Sequence, residues 1–171
     1  DLTTAAQVTT FLTAGTLPGV VATPTPTPTP IATGLATASI ASDSPAAGNV
    51  ISDTVLVMQS AAPVMKLSIA NGNSTEVKVN TIKLTRTGFA ADADVNNLYL
   101  YDGTTKIAEV SSIASKIFTF NSSTGLFTVP ANSTKTITVS VNVAAGITTT
   151  KSVGFSVNAL TDVVLSAGTV S

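Results

Sequence analysis

Three side chains that carry oxygen lie close together in the sequence, at Asp92, Asp94 and Asn96. Hard cations such as Ca²⁺ prefer several oxygen ligands from one short loop, and this spacing matches the first three ligand positions of an EF-hand loop. The match ends there, because Asn97 stands where that loop needs glycine and Gly103 stands where it needs a bidentate glutamate. The sequence favours side chains that cap a short helical turn or turn amides before a strand, with a Ca²⁺ site as the alternative.

Side chains suited to catalysis are scarce. The chain has no His and no Cys, and Ser-x-x-Lys does not precede any of its seven lysines. Its two glutamates, Glu76 and Glu109, both lie in strand patterns, so paired catalytic carboxylates would need aspartates from loops. We therefore predict that the protein is not an enzyme. An isopeptide crosslink would need Lys83 close to Glu76 or Glu109, and it is the weaker interpretation of these residues.

The sequence contains two kinds of candidate sugar attachment site. Asn-x-Ser/Thr sequons, which accept N-linked sugars, occur at Asn73, Asn121 and Asn132, all in predicted turns. A Thr-Pro run over residues 23–30 is typical of exposed stalks that carry O-linked sugars. The hydroxyl groups available there belong to Thr23, Thr25, Thr27 and Thr29. The sequence thus predicts a secreted glycoprotein.

The same Thr-Pro run divides the chain into parts. Alternating proline fixes φ near the polyproline II value and removes every second amide donor, so the run can join neither a helix nor a sheet. Eight residues at about 3.1 Å each give a stiff spacer of roughly 25 Å. We predict an N-terminal assembly segment at 1–22, a Thr-Pro linker at 23–33 and a β-sandwich domain at 34–171.

Composition excludes several classes of partner. The net charge is -1, 10% of the residues are charged and Lys and Arg are not clustered, so nucleic acid and anionic membrane surfaces are not expected partners. No run of eighteen apolar residues and no signal peptide is present, which predicts a mature product with no membrane span. Threonine forms about a sixth of the chain. Together with the Thr-Pro run, this favours an extracellular location at the cell surface.

From residue 34 onward the apolar residues recur with period two. Alternation of this kind predicts strands with one buried and one wet face, and it is clear at Met65–Ile69, Ile137–Val143 and Val153–Val157. Turn signals at Asn71-Gly72, at Asp102-Gly103 and over residues 123–125 predict hairpins. Hydrophobic residues make up 44% of the chain, enough for a real core. The predicted fold is all-β, an antiparallel sandwich of immunoglobulin-like architecture.

One strand pattern contains an odd step. Its apolar positions run Val77 and Val79 and then Ile82 and Leu84. Without an inserted residue this step would turn the buried face outward, because side chains alternate strictly along a strand. We therefore predict a β-bulge near Asn80 or Thr81.

The first 22 residues fit two conformations. As a strand they place apolar side chains on one side, and those assembly residues are Leu2, Ala6, Val8, Leu12 and Ala14. As a helix they have a capping box at 4–7 and a face formed by Val8, Phe11 and Leu12. Either form is too short and too apolar to be stable alone in water, so we expect the segment to pack against an identical subunit. In the strand form this is donor-strand exchange, and open head-to-tail insertion yields a filament.

The body of the chain resembles a known family. The stretches "DADVNNLYLYDGTTKIAEV" and "VPANSTKTITVSVNVAAG" are similar to immunoglobulin-like β-sandwich repeats of prokaryotic surface-layer, cell-surface and filament-forming proteins. The resemblance covers residues 35 to 167. It implies a structural or adhesive surface module and brings no catalytic residues.

Two functions remain open at this point. The first is an extracellular structural protein that polymerises through residues 1–22 into a pilus-like filament or a surface layer. The alternative is a cell-wall-anchored adhesin or a carbohydrate-binding module whose partners are the cell wall or surface glycans. Sugar binding usually uses exposed aromatic rings, and Tyr99 and Tyr101 are the candidates.

Overall fold

A computed structural model describes residues 36–45, 49–51, 61–111, 113, 115–147, 149–158 and 161–165 of the 171-residue chain. The predicted assembly segment 1–22, the linker 23–33 and the first two residues of the predicted domain lie outside these residues. Within them the chain forms eleven strands and one 3₁₀ turn at Asp92–Asp94. The strands are β1 Ala36–Ile40, β2 Asn49–Ile51, β3 Ala62–Asn71, β4 Val77–Thr87, β5 Val95–Asp102, β6 Thr105–Val110, β7 Ile117–Asn121, β8 Phe127–Val129, β9 Ser133–Val143, β10 Lys151–Ser156 and β11 Val163–Leu165.

The first sheet has five antiparallel strands in the order β1-β3-β9-β5-β6. Its centre is the long pair of β3 and β9, in which Leu67 lies opposite Ile137. On the other side of β9, Leu98 lies opposite Val141. Large apolar residues therefore meet across neighbouring strands on one face of this sheet, which is the pairing that stabilises sheets.

The second sheet is built around β4. Its hydrogen-bonded path is β11-β4-β10-β2, and β7 and β8 also pair with β4. Thr81 and Ile82 pair with both β7 and β11, so those two strands flank β4 on opposite sides. By the same reasoning β7 and β8 follow each other along one side of β4, and β10 and β11 along the other.

The core lies between the two sheets and follows the period-two pattern. Leu67 and Ile69 of the first sheet and Ile82, Leu84 and Phe118 of the second are fully buried and belong to one hydrophobic cluster. An edge-on contact between the Phe118 and Phe155 rings adds to it. The all-β, antiparallel prediction is confirmed, with two sheets sharing one core. The immunoglobulin-like topology stays a prediction.

The predicted bulge is present in β4. Val164 lies opposite Thr81 and Leu165 lies opposite Val79, which leaves Asn80 as the extra residue. Its amide nitrogen donates to Ser122 O at 3.0 Å. The bulge keeps both halves of β4 facing the core, and the prediction from the odd apolar step is confirmed.

One of the three predicted hairpins is confirmed and two are wrong. The turn at Asp102-Gly103 joins β5 and β6, which pair directly. The turn after Asn71 instead takes the chain from the first sheet to the second, because β3 pairs with β1 and β9 whereas β4 pairs elsewhere. Residues 123–125 separate β7 from β8, which run in the same direction along β4 and do not pair with each other.

The turn after β4 depends on Gly88. Its φ is +86°, and a Cβ there would lie 2.4 Å from the Ser152 carbonyl oxygen, whereas a Cβ at Gly103 (φ +58°) would meet no atom within 4 Å. Both glycines have a left-handed φ, so the two alanine substitutions share that strain. Only Gly88→Ala adds a backbone clash. We expect Gly88→Ala to lower the free energy of unfolding by about 1 to 3 kcal/mol more than Gly103→Ala does. Urea denaturation of the two variants measures this, and equal losses would contradict it.

Candidate functional site

The chain enters the described sandwich at one end, here called the entry end, which comprises Ala36 and the connections 72–76 and 130–132. Ala36 lies opposite Asn71, and Asn71 lies opposite Ser133, so the three form one row across β1, β3 and β9. The two connections are joined by a hydrogen bond from the Asn132 amide to the Asn73 carbonyl oxygen at 3.1 Å. Ala36, the first described residue, therefore lies at the end of the sandwich where these two connections meet.

A buried amide, Asn71, organises the entry end. Its side chain is fully buried at an inward position of β3, where the alternation would otherwise place an apolar residue. Its amide nitrogen donates to the carbonyl oxygens of Thr75, Val129 and Pro130 at 2.9, 3.1 and 3.0 Å. Its Oδ1 accepts from the backbone and side-chain nitrogens of Asn73 at 3.0 and 2.9 Å. One side chain therefore fastens both sheets and both connections together.

The three sequons differ in their surroundings. Asn73 and Asn132 lie together at the entry end, and Asn121 is the last residue of β7 and does not lie in a turn. The Asn73 amide nitrogen, the atom that would carry a sugar, is already bonded to Asn71. Asn121 and Asn132 are exposed, although the Oδ1 of Asn121 accepts from the Thr81 hydroxyl at 2.8 Å. Exposure therefore favours Asn121 and Asn132 over Asn73 for modification.

Charged side chains gather at the opposite end of the sandwich, here called the far end and defined by Arg86, Asp92, Asp94 and Lys151. Arg86 is 4% exposed, and its Nε and Nη2 donate to Asp92 Oδ1 at 3.0 and 2.6 Å. Its Nη1 donates to the carbonyl oxygen of Ala90. The hydrogen bond from Arg86 lowers the pKa of Asp92. All three nitrogens of this buried guanidinium thus donate hydrogen bonds at the far end of the core.

The second acid of the far end, Asp94, is also held by protein donors. The Lys151 ammonium lies 2.8 Å from both of its carboxylate oxygens, and the Ala91 amide donates to Oδ2. Burial alone would raise the pKa of Asp94, but the hydrogen bonds from Lys151 and Ala91 outweigh it and lower that pKa. The carboxylate therefore stays ionised and pins the 3₁₀ turn to β10.

These contacts bear on the turn-capping and calcium interpretations of the Asp92, Asp94 and Asn96 cluster. Both carboxylates point at basic side chains and turn amides, while Asn96 is exposed on β5. Within the described ranges no group of three or more His, Cys, Asp or Glu side chains is placed to hold a metal ion. Asp94 caps the Ala91 amide, as the turn-capping interpretation predicts, and the calcium site at these residues stays a prediction.

The two aspartates of the far end make the free energy of unfolding depend on pH. Both aspartates have a lowered pKa in the folded protein, so the folded state binds fewer protons than the unfolded chain, whose aspartate pKa is about 3.9. The stabilisation is present above that value and is lost as the pH falls below it. Urea denaturation at pH 7, 4 and 3 should show a steep loss for the parent and a shallower one for Asp92→Asn and Asp94→Asn. Parallel pH profiles would contradict this prediction.

Tyr99 and Tyr101 lie side by side on the outer face of the first sheet. Their ring centroids are 6.3 Å apart with a tilt of 57°. The Asn142 amide donates to the Tyr99 hydroxyl at 2.7 Å, and the Lys106 ammonium lies 5.4 Å from the Tyr99 ring centroid. Because protein groups already occupy the Tyr99 ring and hydroxyl, the pair gives little support to a sugar-stacking platform.

The crosslink candidate Lys83 does not lie in the core. It sits on β4 between the fully buried Ile82 and Leu84, so its side chain points to the outer face of the sheet. Glu76 is exposed and Glu109 accepts hydrogen bonds from Lys106 and Asn97. The arrangement does not bring a lysine, an asparagine and an acid together in the core around Lys83.

Two structural residues, Asn71 and Arg86, were missed from the sequence although a signal for them was present. Both extend an inward-facing row, Asn71 after Leu67 and Ile69, and Arg86 after Ile82 and Leu84. A polar residue at a core position needs buried partners, so each one marks an end of the core. The Asn71 partner Val129 could not be read from the sequence, because it lies 58 residues further along the chain, whereas the Arg86 partners Ala90 and Asp92 lie close to it.

Comparison with protein-family models, curated proteins and solved structures found no match to this chain. Among the described residues, no helix has the length and apolar character needed to cross a membrane. The functional interpretation therefore depends on the residues of the chain itself.

Proposed function

We propose that this chain is a secreted structural subunit that polymerises through residues 1–22 into a pilus-like filament or a surface layer. The observation that carries the proposal is the self-contained core of the sandwich. Buried apolar side chains from Ala38 to Val163 pack into one cluster shared by both sheets. A domain with its own core leaves an apolar segment on a stiff arm available to a neighbouring subunit.

Donor-strand exchange is the mode of assembly that the segment fits best. In the strand form, its apolar positions would enter the neighbour, and Thr9 and Thr13 on the other side would stay at the surface; the entering residues are Leu2, Ala6, Val8, Leu12 and Ala14. Backbone hydrogen bonds supply affinity in such complexes and side-chain pockets supply register. Head-to-tail insertion that does not close into a ring gives an open filament.

Modification fits the same function. Sugars on Thr23, Thr25, Thr27 and Thr29 would keep the linker extended and solvated. Sugars on Asn121 and Asn132 would lie on exposed parts of the sandwich. A glycosylated surface with few charged residues suits a subunit that is exposed outside the cell.

Charge substitutions in the N-terminal segment test this proposal and also the form of the segment. Burying a side chain such as Val8 or Leu12 contributes about 1.5 to 3 kcal/mol, so Val8→Asp or Leu12→Asp should lower polymer yield by at least about tenfold. Thr9→Asp, on the opposite side of the strand, is the matched control and should be tolerated. Phe11→Asp separates the two forms, because it is damaging only if the segment is a helix.

The readout is the fraction of protein that sediments as polymer, with negative-stain microscopy of the pellet. Loss of polymer in the Val8 and Leu12 variants but not in the control supports the proposal. If all four variants polymerise like the parent, residues 1–22 are a passive tail and the proposal is wrong.

A further inference from the structure

A strand that joins a sheet needs an edge whose backbone groups are unpaired. Among the described residues the first sheet ends at β1 and β6. The second sheet ends at β7 and β8 on one side of β4, and at β2 and β11 on the other. These edges differ in how well they are protected against an added strand.

The β6 edge carries protective features. Leu100 lies opposite Ala108 and Tyr101 opposite Lys106, which makes Ile107 the extra residue of a β-bulge. Lys106 and Glu109 also form an exposed ion pair on this strand. A bulge and charged side chains are both known to block edge-to-edge pairing.

Most of the described edge strands of the second sheet are short, and turns interrupt them. The turn at 122–126 separates β7 from β8, and residues 157–162 separate β10 from β11. β2, β8 and β11 have three residues each. β7 has five residues in continuous register with β4, but its inward side chains, Phe118 and Phe120, are large and already fill their side of the core.

Within the described residues, the β1 edge has neither a bulge nor a charged side chain, and its inward residues are small. Its five residues pair with β3 in continuous register, without a bulge. The sequence Ala-Thr-Ala-Ser-Ile contains no charge, no proline and no glycine. The inward side chains, Ala36 and Ala38, are buried but small, so they cover this side of the core with little volume. A larger apolar side chain from an added strand would complement them.

We propose that β1 is the acceptor for residues 1–22 of a second copy of this chain. This inference rests on the proposed function, because it names the surface that the donor segment occupies. A larger inward residue of the donor, Val8 or Leu12, would lie beside the small Ala36 and Ala38 of the edge. The predicted stiffness of the Thr-Pro linker favours a neighbouring copy over the chain's own β1.

Engineered cysteines can locate the donor, because the chain contains no Cys of its own. Gln7, Thr9 and Thr13 fall on the outward side of the donor strand, as Thr37 and Ser39 do on β1. One copy carries a cysteine at one donor position, and a second copy carries Ser39→Cys. The two are mixed, allowed to polymerise, oxidised mildly and separated on a non-reducing gel. Thr105→Cys on the β6 edge is the matched control.

We expect a mixed disulfide-linked dimer with Ser39→Cys at least about tenfold more abundant than with Thr105→Cys, as a stable pairing at one edge requires. Equal crosslinking to Thr105→Cys would overturn the assignment to β1. Crosslinking that occurs within a doubly substituted chain but not in the mixture would also overturn it, because the segment would then cover its own edge.

An edge-blocking variant gives an independent measurement. Ser39 is exposed, so Ser39→Lys should leave the melting temperature of the sandwich unchanged while polymer yield falls at least about tenfold. Thr105→Lys on β6 should polymerise like the parent. If the parent polymerises and Ser39→Lys does so equally well, the acceptor assignment is wrong while the proposed function stands. If the parent itself forms no polymer, the proposed function fails.

Discussion

A protein that begins at residue 23 is expected to fold into the same sandwich and to remain monomeric. The core residues of the described domain lie between Ala36 and Val163, so removal of residues 1–22 should not reduce its stability by more than about 0.5 kcal/mol. Polymer formation should be lost, because the truncated chain retains the acceptor and lacks the donor. Circular dichroism and thermal melting report the fold, and analytical ultracentrifugation with negative-stain microscopy reports assembly.

The control for this deletion is a chain with a scrambled segment of the same composition at 1–22. It keeps the length and the hydrophobicity but loses the period-two order, and it should also stay monomeric. Adding the peptide 1–22 in excess to the truncated protein should yield a one-to-one complex that does not extend. Normal filaments from the truncated chain would show that the segment is not the donor.

The second large effect is expected from Asn71→Ala. The substitution leaves three carbonyl oxygens and the Asn73 amide at the entry end without their partner. Each net hydrogen bond contributes about 0.5 to 1.5 kcal/mol and an unsatisfied buried group costs about 1 to 3, so we expect a loss of roughly 2 to 4 kcal/mol in the free energy of unfolding. Urea denaturation at pH 7 measures this loss.

Asn97→Ala is a suitable control for this substitution. Asn97 donates to Glu109 on the exposed face of the first sheet, so its removal should change stability by less than about 0.5 kcal/mol. A similar small effect at Asn71 would contradict its role in joining the two sheets. A loss at Asn71 larger than the core substitution Val129→Ala, which removes about 2 kcal/mol of burial, would show that this amide exceeds an ordinary core residue.

Local features of the fold could be predicted from the sequence, whereas the connection of the strands could not. The alternation at Met65–Ile69 and Ile137–Val143 and the bulge at Asn80 depend on neighbouring residues, and the structure confirms them. A turn signal such as Asn71-Gly72 only shows that the chain reverses. It does not show whether the next strand joins the same sheet or the opposite one, because that depends on partners distant in sequence.

The contacts of the far end were also only partly predictable from the sequence. Asp92 and Asp94 were recognised as an oxygen-rich cluster, but their function depends on Arg86, six residues earlier, and on Lys151, 57 residues after Asp94. Arg86 could have been found as a charge on the inward row of β4. Lys151 could not, because nothing local links it to the turn that it contacts.

The arrangement around β4 sets the order in which the molecule can be completed. β4 ends at Thr87, yet its four partners lie between Ile117 and Leu165. During synthesis, β4 therefore has none of these four partners until β7 emerges, about 30 residues later, and the second sheet can close only after Leu165 has left the ribosome. Topologies with such distant pairings fold slowly, in milliseconds to seconds. The second sheet should therefore be completed after the first, whose last strand ends at Val143.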